Sequence, residues 1–236
     1  MQPELNTPLP QTGTTAVLVD SSAQQRVLRN TYWLLALTMI PTVFGAMAGT
    51  AFAFGPIFKA YPIMAPIGMF LIMVGMLFGV SAARNSVWGV VLMFGFTFVA
   101  GFFLGPILQH AMTLSNGGQL VAVAGGMTGV ILFTMAGIAT VTKKDFSFLG
   151  KFLFVGLILL IVASLAGLFF QIPALQLTIS AIAVLIFSLY ILYDVSNIIH
   201  GGETNYVMAT VNLYLDIYNI FVSLLNLLMA FSGQRD

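Results

Sequence analysis

The chain has 236 residues, of which 59% are hydrophobic and 6% charged, with a formal net charge of +1. No water-soluble domain of this length carries so few charges, so the class is a polytopic membrane protein. The small net charge gives no footprint for nucleic acid or another polyanion. The absence of cysteine excludes disulfides, thiolate metal sites and cysteine nucleophiles.

Residues 1–29 form a polar tail rich in Thr, Gln, Ser and Pro. The first long apolar run follows Arg26 and Arg29 and has no plausible cleavage site, so no signal peptide is expected. The tail is expected to be flexible, with one apolar patch at Ala16-Val17-Leu18-Val19. Seven apolar runs follow, each near the length that crosses a bilayer. They predict helices over about 30–54, 62–82, 87–110, 118–141, 150–170, 174–199 and 205–231. The connections are short and marked by Gly55-Pro56, Pro62, Asn116-Gly117-Gly118, Gln171-Ile172-Pro173 and Gly201-Gly202. No linker separates a second domain and no internal repeat is convincing. The expectation is therefore a 1–29 tail and one all-α transmembrane domain over 30–236.

Glycines recur at four-residue intervals in the first four helices, at Gly45/Gly49, Gly75/Gly79, Gly101/Gly105 and Gly125/Gly129. Such pairs permit close helix packing. Gly105-Pro106 predicts a kink or break near the end of the third helix. Lys and Arg set the orientation. With the N-terminus in the cytoplasm, Arg26, Arg29, Arg84, Lys143, Lys144 and Lys151 share the inner side, against Lys59 and Arg235 outside. The C-terminus is then periplasmic, and the turn carrying His200 and Glu203 cytoplasmic.

The last two helices each hold an aspartate, Asp194 and Asp216. An Asp at the centre of a membrane helix costs about 2.5–3.5 kcal/mol on insertion scales, so a sequence that keeps two is using them. On the last helix Asn212, Asp216, Asn219, Ser223 and Asn226 follow offsets of four and three and form one stripe. Tyr190, Asp194 and Asn197 form a shorter stripe before it. Joined by a short turn, the two stripes should face each other inside a bundle, because lipid satisfies neither. The plainer alternative is interhelical glue, a common role for Asn and Ser in membranes.

Both carboxyls fall in the inner half of the membrane. Brought together in low dielectric, they do not both ionise at neutral pH but share a proton and titrate as a unit. Fully ionised, they offer hard oxygens to Ca²⁺, so Asp194 and Asp216 are candidate transient calcium ligands. Arg84, on the same side, is a candidate partner for the pair; the alternative is a surface anchor. His110 and His200 are too few and too scattered for a metal cluster.

The whole chain resembles the Bax inhibitor-1 (transmembrane Bax-inhibitor-motif) family. The resemblance is carried by Gly101-Phe-Phe-Leu-Gly105-Pro106-Ile107, Lys143-Lys-Asp-Phe-Ser-Phe-Leu149, Ile191-Leu-Tyr-Asp194 and Leu213-Tyr-Leu-Asp216-Ile-Tyr-Asn219. Arg26-Val-Leu-Arg-Asn-Thr-Tyr32, Ser196-Asn-Ile-Ile-His-Gly-Gly-Glu-Thr-Asn-Tyr206 and Tyr218-Asn-Ile-Phe-Val-Ser-Leu-Leu225 are similar to its bacterial YccA-like branch, modulators of the membrane protease FtsH. The resemblance implies a seven-helix bundle with a central last helix in a bacterial inner membrane. It also implies a pH-sensitive calcium leak gated by Asp194, Asp216 and Arg84, with calcium as permeant ion and no cofactor. The alternative it implies is an FtsH modulator without transport.

Two enzyme readings compete. An intramembrane aspartyl protease also places aspartates on neighbouring helices, and Tyr193-Asp194 fits that half. However, Leu213-Tyr214-Leu215 stands where such proteases have Gly-x-Gly before the second acid, and no Pro-Ala-Leu follows. A rhomboid-type serine protease would need a Gly-x-Ser elbow that is absent here. The expectation is a protein that is not an enzyme.

Overall fold

The computed structural model describes residues 12–170 and 172–232. Residues 1–11 of the tail, and the C-terminal segment carrying Arg235, lie outside the described residues. Among those described there are nine α-helices. They are α1 (Thr12–Ala51), α2 (Phe54–Ala60), α3 (Met64–Ala83), α4 (Val87–Phe103), α5 (Gly105–Met112), α6 (Gly117–Thr142), α7 (Leu149–Phe170), α8 (Pro173–Ile199) and α9 (Tyr206–Ser232). Seven segments are long and apolar enough to cross a membrane, α4 and α5 together making the third, Val87–Met112. Lipid offers the backbone no hydrogen-bond partner, so an apolar chain of this kind closes its own bonds as helix.

Two details differ from the expected elements, and the break expected in the third span is present. Helix α1 begins at Thr12, so helical structure runs back through polar residues assigned to the tail; the apolar part starts at Ser22. The connection between the first two spans contains the short helix α2. The third span breaks at Leu104, where Gly105 and Pro106 open α5. Proline has no N–H to give a preceding turn, so it restarts a helix more readily than it continues one.

Helix α9 is the hub. It packs on α8, α6 and α1 and touches α3, α4 and α5. Its core anchor is Tyr214, which is 1% exposed. The Tyr214 hydroxyl lies 2.9 Å from Thr42 Oγ1 on α1 and donates to the Thr97 carbonyl of α4 at 3.3 Å. Its ring meets Phe96 edge-on, with centroids 5.8 Å apart. Helices α3 and α7 stand at the edge, α3 packed chiefly on α4 and α7 on α8.

Only two of the four glycine pairs are packing devices. A Cβ at Gly45 or Gly49 would run into the α4 backbone at Phe98 and Phe102. One at Gly101 would meet the Thr42 carbonyl, and one at Gly105 the Gly49 carbonyl. Helices α1 and α4–α5 therefore touch backbone to backbone, as small residues allow. Gly75, Gly79, Gly125 and Gly129 face open space, because α3 and α6 turn those faces outward.

At one end of the bundle Gln109 Nε2 donates to the carbonyls of Gly49, Thr50 and Phe52, at 3.2, 3.0 and 2.6 Å, and so caps α1. At the other, basic end, Ser196 Oγ donates to the Lys144 carbonyl and accepts from the Phe146 N–H, at 3.2 and 3.0 Å. This ties the α6–α7 loop to α8. Within that loop the Ser147 N–H donates to Asp145 Oδ1 at 2.8 Å, which holds the exposed Asp145 carboxyl below its ordinary range.

Gly101→Ala is expected to destabilise the protein by about 1–3 kcal/mol, the usual cost of overpacking. Gly75→Ala is expected to be neutral or slightly stabilising, since alanine is the better helix former. Thermal unfolding of the purified variants in detergent checks this; equal shifts would contradict the close α1–α4 approach.

Candidate functional site

Asp194 and Asp216 are 7% and 4% exposed. Asp194 lies five residues before the end of α8 and Asp216 ten residues into α9, or about 8 and 15 Å of helix. Their carboxyls nevertheless lie within hydrogen-bonding reach of each other. Helix α9 therefore starts more than a turn beyond the end of α8. Two carboxyl groups can be hydrogen-bonded only if one carries a proton. Asp216 Oδ2 is buried and takes no hydrogen bond from any N–H or hydroxyl donor, so the other acid is the partner left to it. Tyr190 lines the same cavity as both acids.

The pair lines a cavity of about 1020 Å³ between α3, α7, α8 and α9. The α9 stripe forms one wall: Asn212, Asp216, Asn219, Ser223 and Asn226 all line it. From Asn212 to Asn226 the stripe covers about 21 Å of helix. Tyr190 and Tyr193 line it from α8, and Gln176 marks its far end. The opposite wall is apolar, with Phe70 and Leu71 on α3 and Leu157, Leu160 and Leu165 on α7. A long polar stripe thus faces hydrocarbon side chains across open space.

Two expected site residues stand elsewhere. Asn197 is on the α8 stripe by spacing, but α8 ends two residues later. Its carbonyl accepts from the N–H groups of Gly202 and Glu203 at 2.9 and 3.3 Å, and its side chain lies against Gly202. Asn197 therefore closes the α8–α9 turn, which reverses at Gly201 with φ +79°, a conformation that suits glycine. Arg84 is exposed at the end of α3 and is not among the charges acting on either aspartate. Its carbonyl instead accepts from Asn205 Nδ2 at 3.1 Å. The reason is the loose seating of α3, which packs on α4 and hardly meets α9. The charge that does act on Asp194, besides Asp216, is Glu203 in the following turn.

Among the described residues no group of three or more His, Asp or Glu side chains is arranged to hold a metal ion. Sequence reasoning missed Ser164 and Gln176, isolated polar residues that also line the cavity. It also missed Ser196, the buried clasp of the Lys144 loop. Their signal is weak: a lone Ser or Gln in an apolar run belongs to no stripe.

The family model described as Inhibitor of apoptosis-promoting Bax1 matches residues 24–233, from the first span through the seventh. The chain belongs to the Bax inhibitor-1 family. Within it, the chain is 42% identical over 203 residues to the Modulator of FtsH protease YccA of Escherichia coli strain K12, covering 86% of this chain and 89% of that one. It is 44% identical over 220 residues to an uncharacterised protein of Pseudomonas aeruginosa, covering 90% and 94%. An uncharacterised membrane protein of Vibrio cholerae is 40% identical over 203 residues, covering 86% and 88%. The E. coli strain CFT073 relative is described as an inner membrane protein. Seven apolar helices and these relatives make this a multi-pass inner membrane protein of the family.

The cavity wall can be mapped directly, because the chain has no native cysteine. Single cysteines at Asn219, Ser223 and Asn226 are expected to react with a small water-soluble thiol reagent. Cysteines at Leu213 and Leu225, both 0% exposed, are expected to be protected. Equal labelling of both sets in membranes would mean that the stripe faces packed protein, not a cavity.

Proposed function

We propose that this protein is a membrane-embedded modulator of the FtsH protease, acting by contact and not by catalysis. The observation that carries the proposal is the similarity to E. coli YccA, at 42% identity across nearly the full length of both chains. The site gives no support to an enzyme. Its carboxyl pair is adjoined by Leu213-Tyr214-Leu215, and Leu213 and Tyr214 are buried in the core, not presented to a substrate strand. The protein is expected to co-purify with FtsH after crosslinking in membranes, and its deletion to change the turnover of FtsH substrates. Absence of both effects would remove this reading.

A second reading has its own observation. The carboxyl pair sits on the wall of a cavity whose α8 lining alone, from Gln176 to Asp194, covers about 27 Å of helix, close to the hydrocarbon thickness of a bilayer. That arrangement supports a pH-sensitive cation leak, with Ca²⁺ as the permeant ion and Asp194 and Asp216 as transient ligands. The sign follows from charge. As pH falls the pair takes up protons, its negative charge diminishes, and its attraction for Ca²⁺ weakens. Arg84 enters this reading only as a surface cation of the basic end. Calcium flux through liposomes holding the purified protein is expected to lose most of its pH dependence in Asp194→Asn and in Asp216→Asn. Wild-type pH profiles in both variants would make the aspartates structural.

The orientation proposed for either reading has the N-terminus in the cytoplasm and the C-terminus in the periplasm. Arg84, Lys143, Lys144 and Lys151 share one end of the bundle, and Lys59 lies at the other, as the positive-inside rule favours. A reporter in the Lys143–Lys144 loop should read as cytoplasmic and one after Arg235 as periplasmic. The reverse pattern would invert the topology.

A further inference from the structure

The cavity has an opening that neither reading uses. Helix α3 packs chiefly on α4, and α7 on α8, with no extended packing between α3 and α7. Both nevertheless line the cavity. Phe70 and Leu71 on α3, and Leu165 on α7, line it while remaining 51%, 60% and 41% exposed. Exposed cavity-lining side chains on two helices that do not pack on each other mark the rim of an opening between them. Because the rim is apolar and set between two membrane spans, it opens onto the hydrocarbon of the bilayer. By helix rise this rim lies about 8–11 Å from the end opposite the basic loops, and about 15 Å along the bundle axis from Asp216.

What such a space takes follows from its two walls. The wall of α3 and α7 is hydrocarbon apart from Ser164 and suits an alkyl chain. The wall of α9 is amide, hydroxyl and carboxyl, and Asp216 on it, with Asp194 of α8 beside it, places a pair of acids on the cavity lining. A donor-rich cation satisfies that pair, whereas a carboxylate or phosphate head would add a like charge to it. We propose that the cavity is a binding site for a single-chain amphiphile with an ammonium head. The molecule enters from the bilayer between α3 and α7, sets its head against Asp194 and Asp216, and leaves its chain along the apolar wall. The Asn219 amide oxygen and the Ser223 hydroxyl oxygen accept hydrogen bonds from the head on its way. This inference rests on neither the protease-modulator nor the leak reading.

The test uses the full chain in lipid nanodiscs, with binding of dodecylamine, dodecanol, dodecanoate and butylamine measured by native mass spectrometry and by thermal shift. Dodecylamine is expected to bind one to one and raise the Tm, at least tenfold more tightly than dodecanoate, with dodecanol between them. Butylamine, which has the head without the chain, is expected to bind at least tenfold more weakly than dodecylamine. Asp216→Asn is expected to weaken dodecylamine binding at least tenfold. Leu71→Trp, at an exposed rim position that tolerates a larger side chain, is expected to do the same without altering the pair. Equal binding of amine and carboxylate, butylamine as tight as dodecylamine, or undiminished dodecylamine binding in either variant would overturn the proposal. None of these outcomes bears on association with FtsH. A cation site without a chain site would show as tight butylamine binding, which separates failure here from failure of the leak reading.

Discussion

A carboxyl group inside a membrane must find its partner in the protein, and here each of two carboxyls finds it in the other. Asp194 and Asp216 come from consecutive helices, are nearly fully buried, and lie within hydrogen-bonding reach. Such a contact requires one proton between them, and no N–H or hydroxyl donor reaches Asp216 Oδ2. Keeping such a contact requires α8 and α9 to hold a fixed stagger. The Gly201 turn, the Asn197 carbonyl that accepts from both Gly202 and Glu203, and the Ser196 clasp on the neighbouring loop supply that stagger at the near end.

The rest of the bundle is arranged so that α9 can present two unlike faces. One face is core, anchored by Tyr214 between Thr42, Thr97 and Phe96. Behind it α1 and α4 touch at glycine, which leaves no room for side chains between their backbones. The other face is the polar stripe, and it is left unpacked because α3 leans on α4 and not on α9. The cavity is therefore a consequence of tight packing on one side of the bundle and loose seating on the other. The same loose seating keeps Arg84 away from the acids and opens the cavity toward lipid.

Much of this was legible in the residues. Apolar run length placed all seven spans, and Gly105-Pro106 marked the break in the third. The offsets of four and three on the last helix picked out five residues that line one cavity wall. Periodicity fails where a helix stops. Asn197 has the right spacing but falls in the last turn of α8, where its groups serve the reversal of the chain. Periodicity also says nothing about what lies opposite a face, so Gly75/Gly79 and Gly125/Gly129 read like Gly45/Gly49 although only the latter meet a neighbour. Arg84 reads as a partner of the acids by side of the membrane, but the lateral position of α3 within the bundle is not written in its own sequence.

Membership of the Bax inhibitor-1 family and the likeness to an FtsH modulator bear on the outside of the molecule, whereas the acid pair and its cavity bear on the inside. What joins them is the claim that Asp194 and Asp216 act as one unit. A double-mutant cycle measures this directly, using the unfolding free energies of the wild type, Asp194→Asn, Asp216→Asn and the double variant under one condition. Residues in contact couple by about 0.5–3 kcal/mol, and the account predicts a coupling in that range. Additive effects, with coupling below about 0.3 kcal/mol, would mean that the two acids are independent and would contradict it.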